Sequence, residues 1–144
     1  MEIPDTPMLH AAEDLTLTTW FRVDDPNVTW QTLLWQGNLT ETPGHGNREF
    51  GLFYNSGGYI HLSSTPVSRV QAGHLTIDTP ADVIGAGQWY HVAAVINSSA
   101  NSMTIYHNGN PVAIRTFDTS GIRDTSGPLR LGAPNHGSEF RGLI

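Results

Sequence analysis

The chain of 144 residues contains no cysteine and no lysine. Without cysteine there is no disulfide, no thiolate metal ligand and no cysteine nucleophile, and the redox compartment stays open. The seven basic residues are all arginines, scattered along a chain that carries 13 acidic residues and a formal net charge of −6. This balance argues against nucleic acid and anionic membrane surfaces as partners, because both need a concentrated basic patch. Apolar runs fall far short of the ~20 residues that cross a bilayer, so no membrane insertion is expected. Met1-Glu-Ile-Pro also lacks the basic start and apolar core of a secretion signal, which places any export signal outside this sequence.

What is present is strand periodicity. No ten-residue window holds a 3.6-residue repeat, and the 15 glycines and 9 prolines fall where turns are needed. Leu15, Leu17, Thr19, Phe21 and Val23 share one face of a period-2 strand that Asp24-Asp-Pro-Asn27 ends. Gln31–Gly37 reads as the next strand. Phe50–Tyr54 and Tyr59–Ser63 flank Asn55-Ser-Gly-Gly58 as a hairpin. His74–Ile77 is a further strand, followed by a turn at Asp78–Asp82. Trp89–Ile96 is apolar on both faces, which predicts a central strand covered on both sides. Met103–His107 then returns, and Asn108-Gly109 turns the chain into Pro111–Ile114, where the proline keeps that strand at an edge or sits at its first residue. One domain of this length buries on the order of two thirds of its unfolded surface, so a core is available. The fold class is all-β, a two-sheet antiparallel β-sandwich over residues 1–144.

Five segments in order carry a family resemblance: Leu15–Val23; Phe50–Tyr54 with Tyr59–Leu62; Gly87-Gln-Trp-Tyr-His-Val-Ala93; Tyr106-His-Asn-Gly109; and Leu129-Arg-Leu-Gly132 with Phe140-Arg-Gly-Leu-Ile144. Together they resemble the laminin G-like domains of the concanavalin A-like lectin/glucanase superfamily, which are jelly-roll sandwiches. The resemblance implies a non-catalytic binding module, extracellular or at the cell surface, whose ligand is a glycan or glycoprotein. A structural or adhesive domain acting through its sheet edges is the alternative. The family has a strand upstream of Ile3 and another downstream of Ile144. Both are missing here, so open edges are expected near Glu2–Pro4 and Phe140–Ile144, to be completed by other domains or chains.

Enzymes also use this sandwich, and retaining glycosidases need two carboxylates about 5–5.5 Å apart. No strand here carries acids at alternate positions, and Asp24, Asp25, Asp78, Asp82, Asp118, Asp124 and Glu139 fall mostly in turns, where aspartate bonds locally. The sequence is therefore not expected to be an enzyme. Calcium is the ion that the resemblance implies, held by rim loops; Asp24, Asp25, Asp118 and Asp124 could supply oxygens, although turn aspartate is the ordinary role of each. Trp20 and Trp89 occupy scaffold positions of the family and are expected to pack. Trp35 departs from the family pattern, where a small or polar residue is common. With Tyr59 and His61 on one sheet face and Asn55 at the hairpin mouth, it would form a stacking platform for sugar; covering a sheet face or a loop is the equal alternative for Trp35 and Tyr59.

Overall fold

Residues 1–11, 13–38, 48–67, 73–117, 121–133 and 137–144 are described by a computed structural model. Among them the strands are β1 (Glu2–Ile3), β2 (Asp14–Val23), β3 (Gln31–Gly37), β4 (Arg48–Asn55), β5 (Tyr59–Ser64), β6 (Leu75–Asp78), β7 (Trp89–Asn97), β8 (Ser102–His107), β9 (Asn110–Thr116), β10 (Leu129–Leu131) and β11 (Gly142–Leu143). They form a six-stranded sheet in the order β1-β10-β3-β4-β5-β6 and a five-stranded sheet in the order β11-β2-β7-β8-β9. Neighbouring strands run antiparallel throughout. The fold is the all-β sandwich that the alternation of residues implied.

The core follows from period-2 patterning. Phe21, Val23, Val92, Ala94, Ile96, Met103 and Ile105 project from the five-stranded sheet against Leu34, Leu52, Tyr54, Ile60, Leu62, Leu75 and Ile77 of the other. Fully burying one such side chain contributes roughly 1.5–3 kcal/mol, which makes this layer the main source of stability. Asn108 and Gly109 have φ of 48° and 83°, the left-handed pair of a type I′ turn, and β9 with its Pro111 is an edge strand. Both terminal strands also lie at sheet edges. Among the described residues β1 pairs with β10 alone and β11 with β2 alone, so each keeps one side of its ladder unpaired by them.

The outer faces of the two sheets differ. On the five-stranded sheet Trp20 and Trp89 are exposed, and the Trp20 ring lies 5.2 Å from the His91 ring. This corrects two expectations: β7 is central within its sheet but covered on one face only, and neither tryptophan belongs to the core. The apolar character of β7's outer side comes from small residues, Ala93 and Val95, which a sheet surface tolerates half-exposed. On the six-stranded sheet the outer face is buried at Trp35, Gly51, Phe53, His61 and Ser63 and opens toward Tyr59, Thr76 and Asp78. Trp35, Gly51, Ser63 and Thr76 form one cross-strand row, and Phe53, His61 and Asp78 form the next.

Candidate functional site

The loop between β2 and β3 brings a tryptophan onto this outer face. Trp30 has φ 56°, a left-handed backbone that a bulky residue adopts only when its surroundings enforce it. The Trp30 carbonyl accepts the Ser138 N–H at 2.7 Å, while the Thr32 N–H donates to the Ser138 carbonyl at 2.9 Å. Gly137, at φ 104°, lies so close that a Cβ there would fall 2.3 Å from the Trp30 carbonyl oxygen. Gln31, fully buried, ties the same loop down: its Nε2 donates to the carbonyls of Asp25 (2.7 Å) and Val28 (2.9 Å), and its Oε1 accepts the Arg141 N–H at 2.7 Å. Leaving buried amide groups of this kind unpaired costs about 1–3 kcal/mol, so the loop geometry is well determined.

Trp30, Arg48, Phe53, His61, His74 and Gly137 line a cavity of about 340 Å³. The Trp30 ring stands edge-on to His61 (5.0 Å, 88°) and to Phe53 (6.1 Å, 85°). Trp30 is 41 % exposed, so an aromatic surface remains open at the mouth. The Arg48 guanidinium lies 6.0 Å from the Phe53 ring centroid, and its Nη1 donates to Ser63 Oγ at 3.0 Å. Arg48 is only 3 % exposed, and its Nε has no hydrogen-bond partner. Burial alone pushes its pKa down to about 10, and among the described residues no carboxylate pairs with it. A buried cation without a counter-charge is costly and suits an incoming anion.

His61 completes the wall. Its Nδ1–H donates to Asp78 Oδ1 at 2.6 Å, which leaves Nε2 as an acceptor. Burial lowers the His61 pKa; the Asp78 hydrogen bond and charge oppose this and the Arg48 charge adds to it, so the ring is held neutral at pH 7.

Of the four residues expected to form a platform, Trp35, Asn55, Tyr59 and His61 all share the outer face of the six-stranded sheet, but only His61 lines the cavity. Trp35 has no surface to offer. It is 0 % exposed, and the Arg130 guanidinium covers its ring at 5.8 Å. Asn55 is buried, with its Oδ1 accepting the Thr29 hydroxyl at 3.0 Å, and acts as a hairpin brace. Tyr59 is half-buried one row beyond His61; burial and then the Asp78 charge push its pKa up. Sequence reasoning missed Trp30, Arg48, Phe53, His74 and Gly137. A tryptophan in a polar loop was the one signal that could have marked Trp30.

The loop aspartates divide. Asp24 accepts from Arg22 Nε at 2.8 Å, and Asp25 Oδ1 accepts the Asn27 N–H at 3.1 Å, so both make the local contacts of turn residues. Asp118 lies outside the described residues. Asp124 approaches His10 and Glu49.

A laminin G family model, described as the concanavalin A-like lectin/glucanases superfamily, matches residues 1–144. The chain belongs to this superfamily. Among curated proteins no sequence matches it. Among solved structures, this superfamily member is similar to the CBM40 domain of the Ruminococcus gnavus IT-sialidase bound to α2,3-sialyllactose (TM-score 0.69, 18 % identity, 99 % of this chain and 83 % of that one). It is also similar to domains LG4-5 of the mouse laminin α1 chain (0.65, 19 %, 99 % and 36 %). A third likeness is to the NanB sialidase from Streptococcus pneumoniae (0.74, 23 %, 100 % and 23 %). The chain thus spans about a third of the laminin chain and about a quarter of the NanB chain. Identities at this level carry the fold.

Proposed function

We propose that this domain is a non-catalytic glycan-binding module for an acidic sugar, whose carboxylate docks on Arg48. The observation that carries the reading is the Arg48 guanidinium, buried in an aromatic-walled cavity and, among the described residues, paired with no carboxylate. Trp30 and Phe53 supply apolar faces for sugar C–H groups, and neutral His61 supplies an acceptor for a hydroxyl. The similar CBM40 domain is bound to sialyllactose, whose terminal sugar bears a carboxylate, and the present cavity offers that chemistry a counter-charge.

Among the described residues that line the cavity there is no carboxylate, whereas glycoside hydrolysis uses a pair of them, which favours binding over catalysis. Among the described residues no helix is long and apolar enough to cross a membrane. An extracellular setting, where sialylated glycans are displayed, agrees with the reading. The test is a glycan array carrying sialylated, uronic-acid and neutral oligosaccharides. Retention confined to acidic glycans supports the proposal, and equal retention of neutral ones contradicts it.

A further inference from the structure

His10 follows the short 3-10 turn Pro7–Leu9, and its ring meets carboxylates from three distant parts of the chain. Nε2 is 2.8 Å from Asp5 Oδ1. Nδ1 is 3.2 Å from both oxygens of Glu49 and 3.3 Å from Asp124 Oδ1. Glu49 is almost wholly buried in β4, and Thr125 fixes it by donating its N–H (3.1 Å) and hydroxyl (3.0 Å) to Oε1. Asp124 is 61 % exposed, so the cluster opens to solvent on that side.

A neutral imidazole has one N–H. Asp5, at the shortest distance, takes it at Nε2, and Nδ1 then presents a lone pair to carboxylate oxygens on two sides. Without a metal the ring meets both sides by taking a second proton: burial lowers its pKa, but the hydrogen bond to Glu49 and the charges of Glu49, Asp124 and Asp5 outweigh this and raise it, and a divalent cation between the three groups would take that proton's place. Donors around a tetrahedral zinc ion, each about 2.0–2.2 Å from the metal, stand roughly 3.3–3.6 Å apart. The Nδ1-to-oxygen separations of 3.2 and 3.3 Å approach this spacing, and one ligand atom from each residue fits within 4.8 Å of the others. A carboxylate on the far ring nitrogen, as Asp5 provides, is the usual device that orients a metal-binding histidine.

We propose that His10, Glu49 and Asp124 form a binding site for a zinc-like divalent transition metal, with Asp5 as the positioning residue for the imidazole. One imidazole and two carboxylates suit zinc. Calcium and magnesium prefer all-oxygen shells with more ligands. The ion fastens the N-terminal segment and the Asp124–Thr125 loop onto β4, away from any catalytic step. Glu49 is also the next residue after Arg48, so the site braces one wall of the cavity.

The experiment titrates chelator-treated protein with zinc chloride in the absence of glycan and reads stoichiometry by calorimetry, so its outcome is independent of the glycan reading. One equivalent is expected to bind, unaffected by excess calcium, and cobalt(II) in its place should give visible absorption of a low-coordinate centre. His10→Asn and Asp124→Asn should abolish the saturable site, and Asp5→Asn should weaken it about 10- to 100-fold. Glu49→Gln tests the buried ligand; Asp124→Asn, at an exposed position, keeps the test sound if Glu49→Gln fails to fold. No saturable zinc binding, displacement by calcium, or unchanged binding in His10→Asn and Asp124→Asn would each overturn the proposal.

Discussion

The Trp30 ring stands at 88° to the His61 imidazole, 5.0 Å from centroid to centroid, and closes one side of the cavity that holds Arg48. The contact joins a loop residue in a left-handed backbone conformation to the middle of β5. It makes the cavity a composite of loop and sheet.

Trp30→Ala should separate binding from folding. The side chain is half-buried against Phe53 and His61, so the fold should survive with a modest drop in melting temperature. Loss of its ring face should weaken acidic-glycan binding by about 1–2 kcal/mol, five- to thirty-fold. Unchanged affinity in a folded variant would remove Trp30 from the site.

Trp35→Ala should behave in the opposite way. With its ring fully buried beneath Arg130, truncation should cost ~3–5 kcal/mol of stability, as for a core aromatic. Chemical denaturation checks this. A variant of near-native stability that no longer binds glycan would restore Trp35 as a contact residue.

The difference between these two tryptophans marks the limit of the sequence. Alternation from Leu15 to Val23, the Asn55–Gly58 hairpin and the Asn108-Gly109 turn were legible because each depends on neighbours along the chain. Alternation also put Tyr59 and His61 on one face, and the register of β3 on β4 adds Trp35 to it. Which part of that face is open depends on Arg130, almost a hundred positions from Trp35, and periodicity carries no such information. Trp30 sits in a polar loop without a period, and its pose is set by Gly137 and Ser138. Arg48 gave no sign of being a buried charge that no described carboxylate pairs, because that follows from how distant segments pack around it. The grouping of His10, Glu49 and Asp124 arises only when the N-terminal segment packs against β4.

Stability should fall on mild acidification through His61. The folded state holds this imidazole neutral, with a pKa below the ordinary 6.5, because of burial and the Arg48 charge, which Asp78 only partly offsets. Tyr59, close to Asp78, is neutral throughout this range. The unfolded chain takes up the proton more readily, so stability present at pH 7 is lost as pH drops from about 6.5 toward the lower folded pKa, by at most about 1.4 kcal/mol per pH unit. Thermal unfolding of the wild type and His61→Gln between about pH 5 and 8 reads this, and the variant should show the shallower decline. Parallel curves would mean that His61 is not held neutral.

The most direct test is calorimetric titration of the wild type and Arg48→Gln with α2,3-sialyllactose and, in parallel, with lactose. The account predicts that the wild type binds sialyllactose and shows no saturable heat with lactose. A hydrogen bond to a charged group is worth about 1.5–3 kcal/mol, so Arg48→Gln, verified as folded by circular dichroism, should lose roughly 10- to 150-fold in affinity. Equal binding of the two sugars, or an Arg48→Gln variant that binds sialyllactose as the wild type does, would contradict it.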